Sequence, residues 1–206
     1  MRSVGAALLV LALSACQTSR LPPHGWWQSI SVAGHDSCVG AAISVEWVVT
    51  VRHCVQRLGD RQPMPPGDLT LTDQAGSKRQ VLRVVVPPGA FNHLGDITGR
   101  DVALLHVDRP MPIVAHLGSW ADQDEQRLLL SRGHRLNAIR LELRSFNSQS
   151  VFSPGVTCIG DSGSPLIDTN GRMLALASWR SEPGCDRGIS VFTRLDVHRE
   201  WIEANL

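Results

Sequence analysis

The sequence lacks several features that would place a protein in a broad class at once. Its 206 residues carry a formal net charge of +1 and contain no block of like charge, no internal repeat and no low-complexity tract. A near-neutral surface of this kind gives no electrostatic basis for binding nucleic acid. The apolar stretch at residues 4–13 is too short for a membrane-spanning helix, which needs about twenty residues. The chain is long enough for one large β-barrel domain or two small ones.

The residues around this apolar stretch are typical of an export signal. Positive charge precedes the stretch, and small residues follow it. The segment Leu13-Ser14-Ala15-Cys16 resembles the lipobox of bacterial lipoproteins, whose cysteine is acylated and becomes the mature N-terminus. An ordinary signal-peptidase site is the alternative, but bulky Leu13 stands where such sites prefer a small residue. We therefore expect a signal peptide at residues 1–15 and a lipid-anchored tether at residues 16–24.

The other four cysteines are Cys38, Cys54, Cys158 and Cys185. Four cysteines allow three disulfide pairings, and their spacing alone does not choose among them. A zinc site is the alternative, but the paired C-x-x-C spacing of such sites is absent. Together with an export signal, these cysteines indicate disulfides formed in an oxidising compartment.

Short runs rich in apolar and β-branched residues recur between clusters of glycine, proline, aspartate and asparagine. This pattern predicts many short antiparallel strands, and therefore an all-β barrel or sandwich. The exception is residues 195–206, where a spacing of three to four predicts an amphipathic C-terminal helix. The predicted strands lie at residues 28–32, 41–44, 47–51, 69–72, 79–86, 102–107, 127–131, 138–146, 165–167, 173–178 and 189–193.

Three motifs contain the residue types that together activate a serine. His53 lies in Thr50-Val51-Arg52-His53-Cys54, Asp101 directly precedes an apolar run, and Ser162 lies in Gly160-Asp161-Ser162-Gly163. Each motif alone has an ordinary explanation, since Gly-Asp-Ser-Gly is a common turn composition and a single histidine is usually structural. The chain order His, Asp, Ser is that of chymotrypsin-like proteases and differs from that of subtilisins. From about residue 26 onward, the sequence resembles the trypsin/chymotrypsin family of serine endopeptidases.

The resemblance implies a fold of two six-stranded antiparallel β-barrels with a C-terminal α-helix. The N-terminal barrel would occupy residues 25–115, and residues 116–206 would form the C-terminal barrel and the helix. The resemblance also implies the disulfides Cys38–Cys54 and Cys158–Cys185, beside the histidine and the serine respectively.

The resemblance further assigns roles at the site. His53 would be the general base, Asp101 the carboxylate that orients it, and Ser162 the nucleophile. The backbone N–H groups of Gly160 and Ser162 would form the oxyanion hole. Ser178 matches the serine that supports the buried aspartate in the family.

One departure from the family concerns the aspartate before the nucleophile, here Asp161. Animal members activate when a newly cut Ile-Val N-terminus inserts as an ammonium beside this carboxylate. No Ile-Val-Gly-Gly-like segment precedes residues 25–28. Either Asp161 has another partner, for which His35, Arg52 and Arg180 are the candidates, or the oxyanion hole is disordered at rest.

A second departure concerns the primary specificity pocket. Val156 stands where trypsin-like members carry an aspartate, so a substrate cation would lack a counter-charge there. Thr157, Trp179, Arg180 and Ser190 match other pocket positions. We expect a small or medium apolar side chain before the scissile bond, with an acidic one as the second expectation, and no cleavage after lysine or arginine.

The sequence therefore predicts a serine endopeptidase that cleaves polypeptides through an acyl-enzyme intermediate and needs no metal or cofactor. The alternative is a catalytically silent module on the same fold that binds extended peptides. We expect a monomer that binds no nucleic acid and is attached to a membrane through a lipid on Cys16. Gln17 resembles the residue found in lipoproteins sent to the outer membrane. The expected location is the bacterial cell envelope, on the periplasmic face of the outer membrane.

Overall fold

The computed structural model describes residues 25–89, 91, 100–120, 126–132, 135–141, 143–145, 147–185 and 187–206. The expected signal peptide, lipidation site Cys16 and tether lie outside these residues. None of the helices in the described ranges has the length and apolar character needed to cross a membrane.

The first half of the chain forms a closed barrel of six antiparallel strands. These are β1 (Trp27–Val32), β2 (His35–Ala42), β3 (Trp47–Thr50), β4 (Leu69–Asp73), β5 (Lys78–Val85) and β6 (Ala103–Val107). Their order in the sheet is β1-β2-β3-β6-β5-β4, and pairing of β1 with β4 closes the barrel. Strand β3 is buried throughout, as its apolar and β-branched sequence predicts.

The second half forms an antiparallel half-barrel of seven strands. These are β7 (Gln126–Arg132), β8 (Arg135–Leu141), β9 (Arg144–Ser145), β10 (Ser150–Pro154), β11 (Pro165–Asp168), β12 (Met173–Arg180) and β13 (Ile189–Arg194). Their order is β8-β7-β11-β12-β13-β10-β9. The predicted all-β fold with two barrel-like halves is confirmed. The second half has seven strands because the short β9 pairs with β10 at the edge.

The larger hydrophobic cluster extends from the first barrel into the second half. Besides the residues of strands β1 to β6, it contains Ile167, Met173 and Leu176 from the second sheet. A smaller cluster lies within the second half and includes Leu166 and Phe192, both fully buried. Because one cluster contacts both sheets, burial of apolar surface stabilises their packing against each other.

The predicted C-terminal helix is confirmed, although it is shorter than the periodicity suggested. A 3₁₀ turn at Asp196–His198 leads into α1 (Arg199–Glu203). Ile202 is fully buried in the larger cluster, and the Arg199 guanidinium donates hydrogen bonds to the carbonyls of Leu117 and Gly118. The helix therefore packs against the segment that connects the two halves.

The two halves are hydrogen-bonded to each other at the turn around Ser162. The N–H of Val39 in β2 donates to the carbonyl of Ser162 at 2.7 Å, and the N–H of Gly163 donates to the carbonyl of Ala177 in β12 at 2.8 Å. Gly163 has a φ of +83°, which favours glycine. A β-carbon there would overlap the carbonyl oxygen of Val39 and lie 2.7 Å from Oγ1 of Thr50. The approach of the two sheets therefore requires glycine at this position.

We predict that Gly163→Ala destabilises the protein severely, by more than about 4 kcal/mol, because the overlapping atom belongs to the backbone of a central strand. Gly76→Ala is the matched control, since Gly76 has the same φ of +83° and no atom of the described residues lies within 4 Å of the place its β-carbon would take. The control substitution should lower the free energy of unfolding by about 1–2 kcal/mol, which is the conformational strain of a residue with a β-carbon at this φ. Urea unfolding followed by tryptophan fluorescence measures both, and equal losses would contradict the prediction.

Candidate active site

His53 and Asp101 come from neighbouring strands of the first barrel. His53 lies in a 3₁₀ turn (Arg52–Cys54) directly after β3, and Asp101 lies just before β6. Strands β3 and β6 pair, with Thr50 opposite Ala103, so the two side chains emerge at the same end of the barrel. The backbone N–H of His53 donates to Oδ1 of Asp101 at 2.9 Å, and its ring Nδ1 lies 2.7 Å from Oδ2.

Ser162 approaches the same histidine from the second half of the molecule. Its Oγ lies 2.8 Å from Nε2 of His53, opposite the nitrogen that contacts Asp101. The structure therefore brings together the three residues that the sequence order singled out.

Burial and hydrogen bonding oppose each other at Asp101. Burial, which is complete, raises the pKa of this carboxyl. The favourable interaction with His53, together with hydrogen bonds from Ser178 Oγ at 2.7 Å and from the His53 ring and backbone, outweighs burial and holds the pKa below its ordinary value. Asp101 is therefore ionised at neutral pH and accepts a hydrogen bond from the Nδ1–H group of His53. This tautomer leaves the Nε2 lone pair facing the Ser162 hydroxyl.

Ser178 reaches Asp101 because it is a bulge residue in β12. Ala177 pairs with Phe192 and Trp179 with Val191, so two residue steps on β12 correspond to one on β13. Bulges of this kind change the direction of a side chain and are common beside active sites.

The turn before Ser162 is closed by a hydrogen bond from the N–H of Asp161 to the carbonyl of Cys158 at 3.2 Å. Gly160 occupies the third position of this turn with a φ of +92°, as a type II turn requires. Gly160 and Ser162 both line the cavity that contains His53. In the part of the chain that the structure describes, no protein acceptor is seen for the N–H group of either residue.

The side chain of Asp161 lies behind this turn and is 1% exposed. Its Oδ2 accepts the N–H of Cys158 at 2.7 Å. Of the candidate partners, Arg52 donates to Gln56 and to the carbonyl of Gly89, and Arg180 donates to a carbonyl in its own loop. The Cys158 backbone is a partner that sequence reasoning did not anticipate, because a local turn supplies it.

Two disulfides flank the site. Cys38–Cys54 joins β2 to the turn that carries His53, and Cys158–Cys185 joins the Ser162 turn to the loop after β12. Cys38, His53 and Cys54 form a cluster of potential metal ligands, but the disulfide leaves no thiolate in it.

A cavity of about 530 Å³ opens beside the Ser162 hydroxyl. Of the five predicted pocket residues, Thr157, Trp179 and Arg180 line it. Val156 and Ser190 are not among the described residues that line it. The Val156 side chain packs against the smaller hydrophobic cluster, and Ser190 is fully buried beneath Thr157. Of these two hydroxyl residues, Thr157 lines the cavity.

A second cavity of about 740 Å³ adjoins the first on the other side of the Ser162 turn. Ile159 lines both cavities and is 87% exposed. Sequence reasoning missed this residue, although an apolar residue between Cys158 and Gly160 in a polar turn was a possible signal. An apolar side chain held in solvent beside a reactive group is suited to contacting a bound molecule.

Arg52, a sequence-based candidate partner of Asp161, makes its hydrogen bonds beside the histidine turn. It is 3% exposed, with Nε 2.6 Å from Oε1 of Gln56 and its guanidinium 5.2 Å from the centre of the Phe91 ring. It also donates to the carbonyl of Gly89 at 2.5 Å. Because Arg52 immediately precedes His53, these contacts hold the histidine turn against the segment that leads towards Asp101.

Comparison with known proteins agrees with this geometry. A family model described as trypsin matches residues 16–202. Scolexin B of Heliothis virescens is 26% identical over 81% of this chain and 74% of its own length. The snake venom serine protease catroxase-1 of Crotalus atrox is 24% identical over 97% of this chain and 92% of its own length. Kallikrein-8 of Mus musculus is 24% identical over 89% and 83%. The chain belongs to the trypsin family of chymotrypsin-like serine proteases.

Proposed function

We propose that this protein is a serine endopeptidase in which Ser162 is the nucleophile, His53 the general base and Asp101 the residue that orients the base. The observation that carries the proposal is the continuous hydrogen-bonded chain from buried Asp101 through His53 to Ser162, with contacts of 2.7 and 2.8 Å. These contacts lie within the range required for proton transfer between a nucleophile and its base.

In the proposed reaction, Ser162 Oγ attacks the carbonyl carbon of the scissile bond while its proton moves to Nε2 of His53. The oxyanion that forms accepts hydrogen bonds from the N–H groups of Gly160 and Ser162. His53 then donates the proton to the leaving amine, and an acyl-enzyme remains on Ser162. Water, deprotonated by His53, releases the acyl group by the reverse sequence of steps.

The adjoining cavities support cleavage within a chain rather than at its end. The first cavity and β12 accommodate the residues before the scissile bond, where the backbone at residues 178–180 can pair with the substrate as an added strand. The second cavity, beyond Ile159, is suited to residues that follow the bond. A substrate can therefore extend in both directions from Ser162.

Reaction with a fluorophosphonate probe tests this function. We predict that the wild-type protein is labelled and that Ser162→Ala abolishes both labelling and peptide hydrolysis, since the other groups cannot supply a nucleophile. Ser164→Ala is the matched control, because Ser164 is fully buried two residues away and its hydroxyl has no hydrogen-bond partner among the described residues. The control should be labelled like the wild type. A folded wild-type protein that is not labelled would instead identify a silent peptide-binding module.

We further propose that the primary pocket is not trypsin-like. Among the described residues that line the cavity, Arg180 carries a positive charge and none is a carboxylate, so a substrate cation would meet no counter-charge there.

A peptide series that differs only in the residue before the scissile bond tests this specificity. Norleucine should be cleaved at least about tenfold faster than lysine, because a buried cation without a counter-charge loses its hydration without compensation. Arg180→Ala should lower the ratio of norleucine to lysine cleavage, because it removes the repulsion between Arg180 and the substrate lysine. Arg187→Ala is the control, since Arg187 lies in the same loop but does not line the cavity, and it should leave this ratio unchanged. Preferred cleavage after lysine or arginine would refute the proposed pocket.

We also propose that the protein is a lipoprotein of a bacterial envelope, anchored through Cys16. The support is the segment Leu13-Ser14-Ala15-Cys16, together with the disulfides that pair the other four cysteines and leave Cys16 over.

In a Gram-negative host, the wild-type protein should incorporate a palmitate analogue and sediment with membranes. Cys16→Ser should release it into the soluble fraction with its peptidase activity intact, because the described residues that line the cavity all lie at position 32 or later in the sequence. A Cys16 thiol found in a disulfide with any other cysteine would count against the anchor.

A further inference from the structure

Two hydroxyl groups, one of them on the cavity wall, are hydrogen-bonded to each other. Ser190 Oγ lies 3.0 Å from the backbone nitrogen of Val156, 3.1 Å from that of Thr157, and 2.8 Å from Thr157 Oγ1. Ser190 is fully buried, whereas Thr157 is 8% exposed and lines the cavity. The two hydroxyls therefore form an ordered path from the protein interior to the cavity wall.

The direction of each hydrogen bond follows from the number of lone pairs. A serine hydroxyl has one proton to donate and two lone pairs to accept with. The two backbone N–H groups occupy both lone pairs of Ser190 Oγ, so its contact with Thr157 must be made by donation. Thr157 Oγ1 is then an acceptor in that bond, and its own proton is left to donate. Because Thr157 lines the cavity, its hydroxyl is a hydrogen-bond donor at the cavity wall.

The surrounding charges favour the same kind of ligand. Arg180 lines the cavity, and among the described residues that line it there is no carboxylate. The Thr157 hydroxyl would lack an acceptor if the cavity held an apolar substrate side chain. A substrate side chain that ends in a carbonyl oxygen would accept its hydrogen bond. The Arg180 charge adds an attraction for a carboxylate over a carboxamide.

We infer that Thr157 selects substrates whose side chain before the scissile bond ends in a hydrogen-bond-accepting carbonyl oxygen, with carboxylate preferred to carboxamide. This inference rests on the proposed peptidase function. It replaces the apolar preference expected from Val156, because that side chain packs into the hydrophobic cluster rather than at the cavity floor.

Internally quenched peptides that differ only at that residue test the inference. Glutamine and methionine have similar length and volume, so their ratio of kcat/KM isolates the carbonyl oxygen. We expect glutamine to exceed methionine by about five- to tenfold, the effect of one net hydrogen bond. Glutamate should exceed glutamine, and Arg180→Ala should lower that second ratio. A wild-type enzyme that cleaves after methionine or leucine at least as fast as after glutamine and glutamate would overturn the inference.

Thr157→Val removes the hydroxyl with little change of shape and should bring the glutamine-to-methionine ratio close to one. Thr157→Ser retains the hydroxyl and should keep the preference. A ratio unchanged in Thr157→Val would overturn the assignment to this residue.

Fluorophosphonate labelling of the wild-type protein distinguishes a failure of this inference from a failure of the proposed function. Labelled protein without the preference contradicts only the inference, whereas folded protein that is neither labelled nor active contradicts the proposed function and the inference with it.

Discussion

The hydrogen bond from the N–H of Val39 to the carbonyl of Ser162, 2.7 Å long, fixes the relation on which the site depends. His53 and Asp101 belong to the first barrel, whereas Ser162 belongs to the second half. A contact of 2.8 Å between His53 and Ser162 exists only if the two halves are held within the narrow range of hydrogen-bond distances. Gly163 permits this approach because it has no side chain where the Val39 carbonyl enters. The glycine after the serine is thus a requirement of packing between the halves as well as of the turn.

The electrostatics of the site depend on the same assembly. An ionised carboxylate as deeply buried as Asp101 is costly unless hydrogen bonds compensate for lost hydration. Its partners come from both halves, His53 from the first and Ser178 from the second. Because the pKa of Asp101 is lower in the folded protein than in the unfolded chain, the ionised carboxylate stabilises the fold above a pH of about 4. That stabilisation is lost as the pH falls through the folded-state value. The hydrogen bonds that hold Asp101 against His53 and Ser178 therefore also contribute to joining the halves.

The parts of the structure that were predictable are those determined by local sequence. The motifs around His53, Asp101 and Ser162, and most strands, carry their own signals in residue type and period. Strand β10 (Ser150–Pro154) was not predicted, because its two apolar residues stand between serines and a proline and its pairing with β13 is a tertiary contact. The orientation of Val156 was not predictable either, since its peptide is held by the hydroxyl of a residue thirty-four positions away.

The bulge in β12 positions both the partner of Asp101 and part of the cavity wall. In a regular strand, Ser178 and Arg180 would face one side and Ala177 and Trp179 the other. The extra residue step at Ser178 breaks this alternation, and all four residues line the reaction cavity. One irregularity thus directs the Ser178 hydroxyl to Asp101 and also brings Trp179 and Arg180 to the cavity wall. Substitutions that alter the pairing of β12 with β13 would disturb both together, so changes of specificity in this pocket are better sought at Thr157 and Arg180 than in the strand pairing itself.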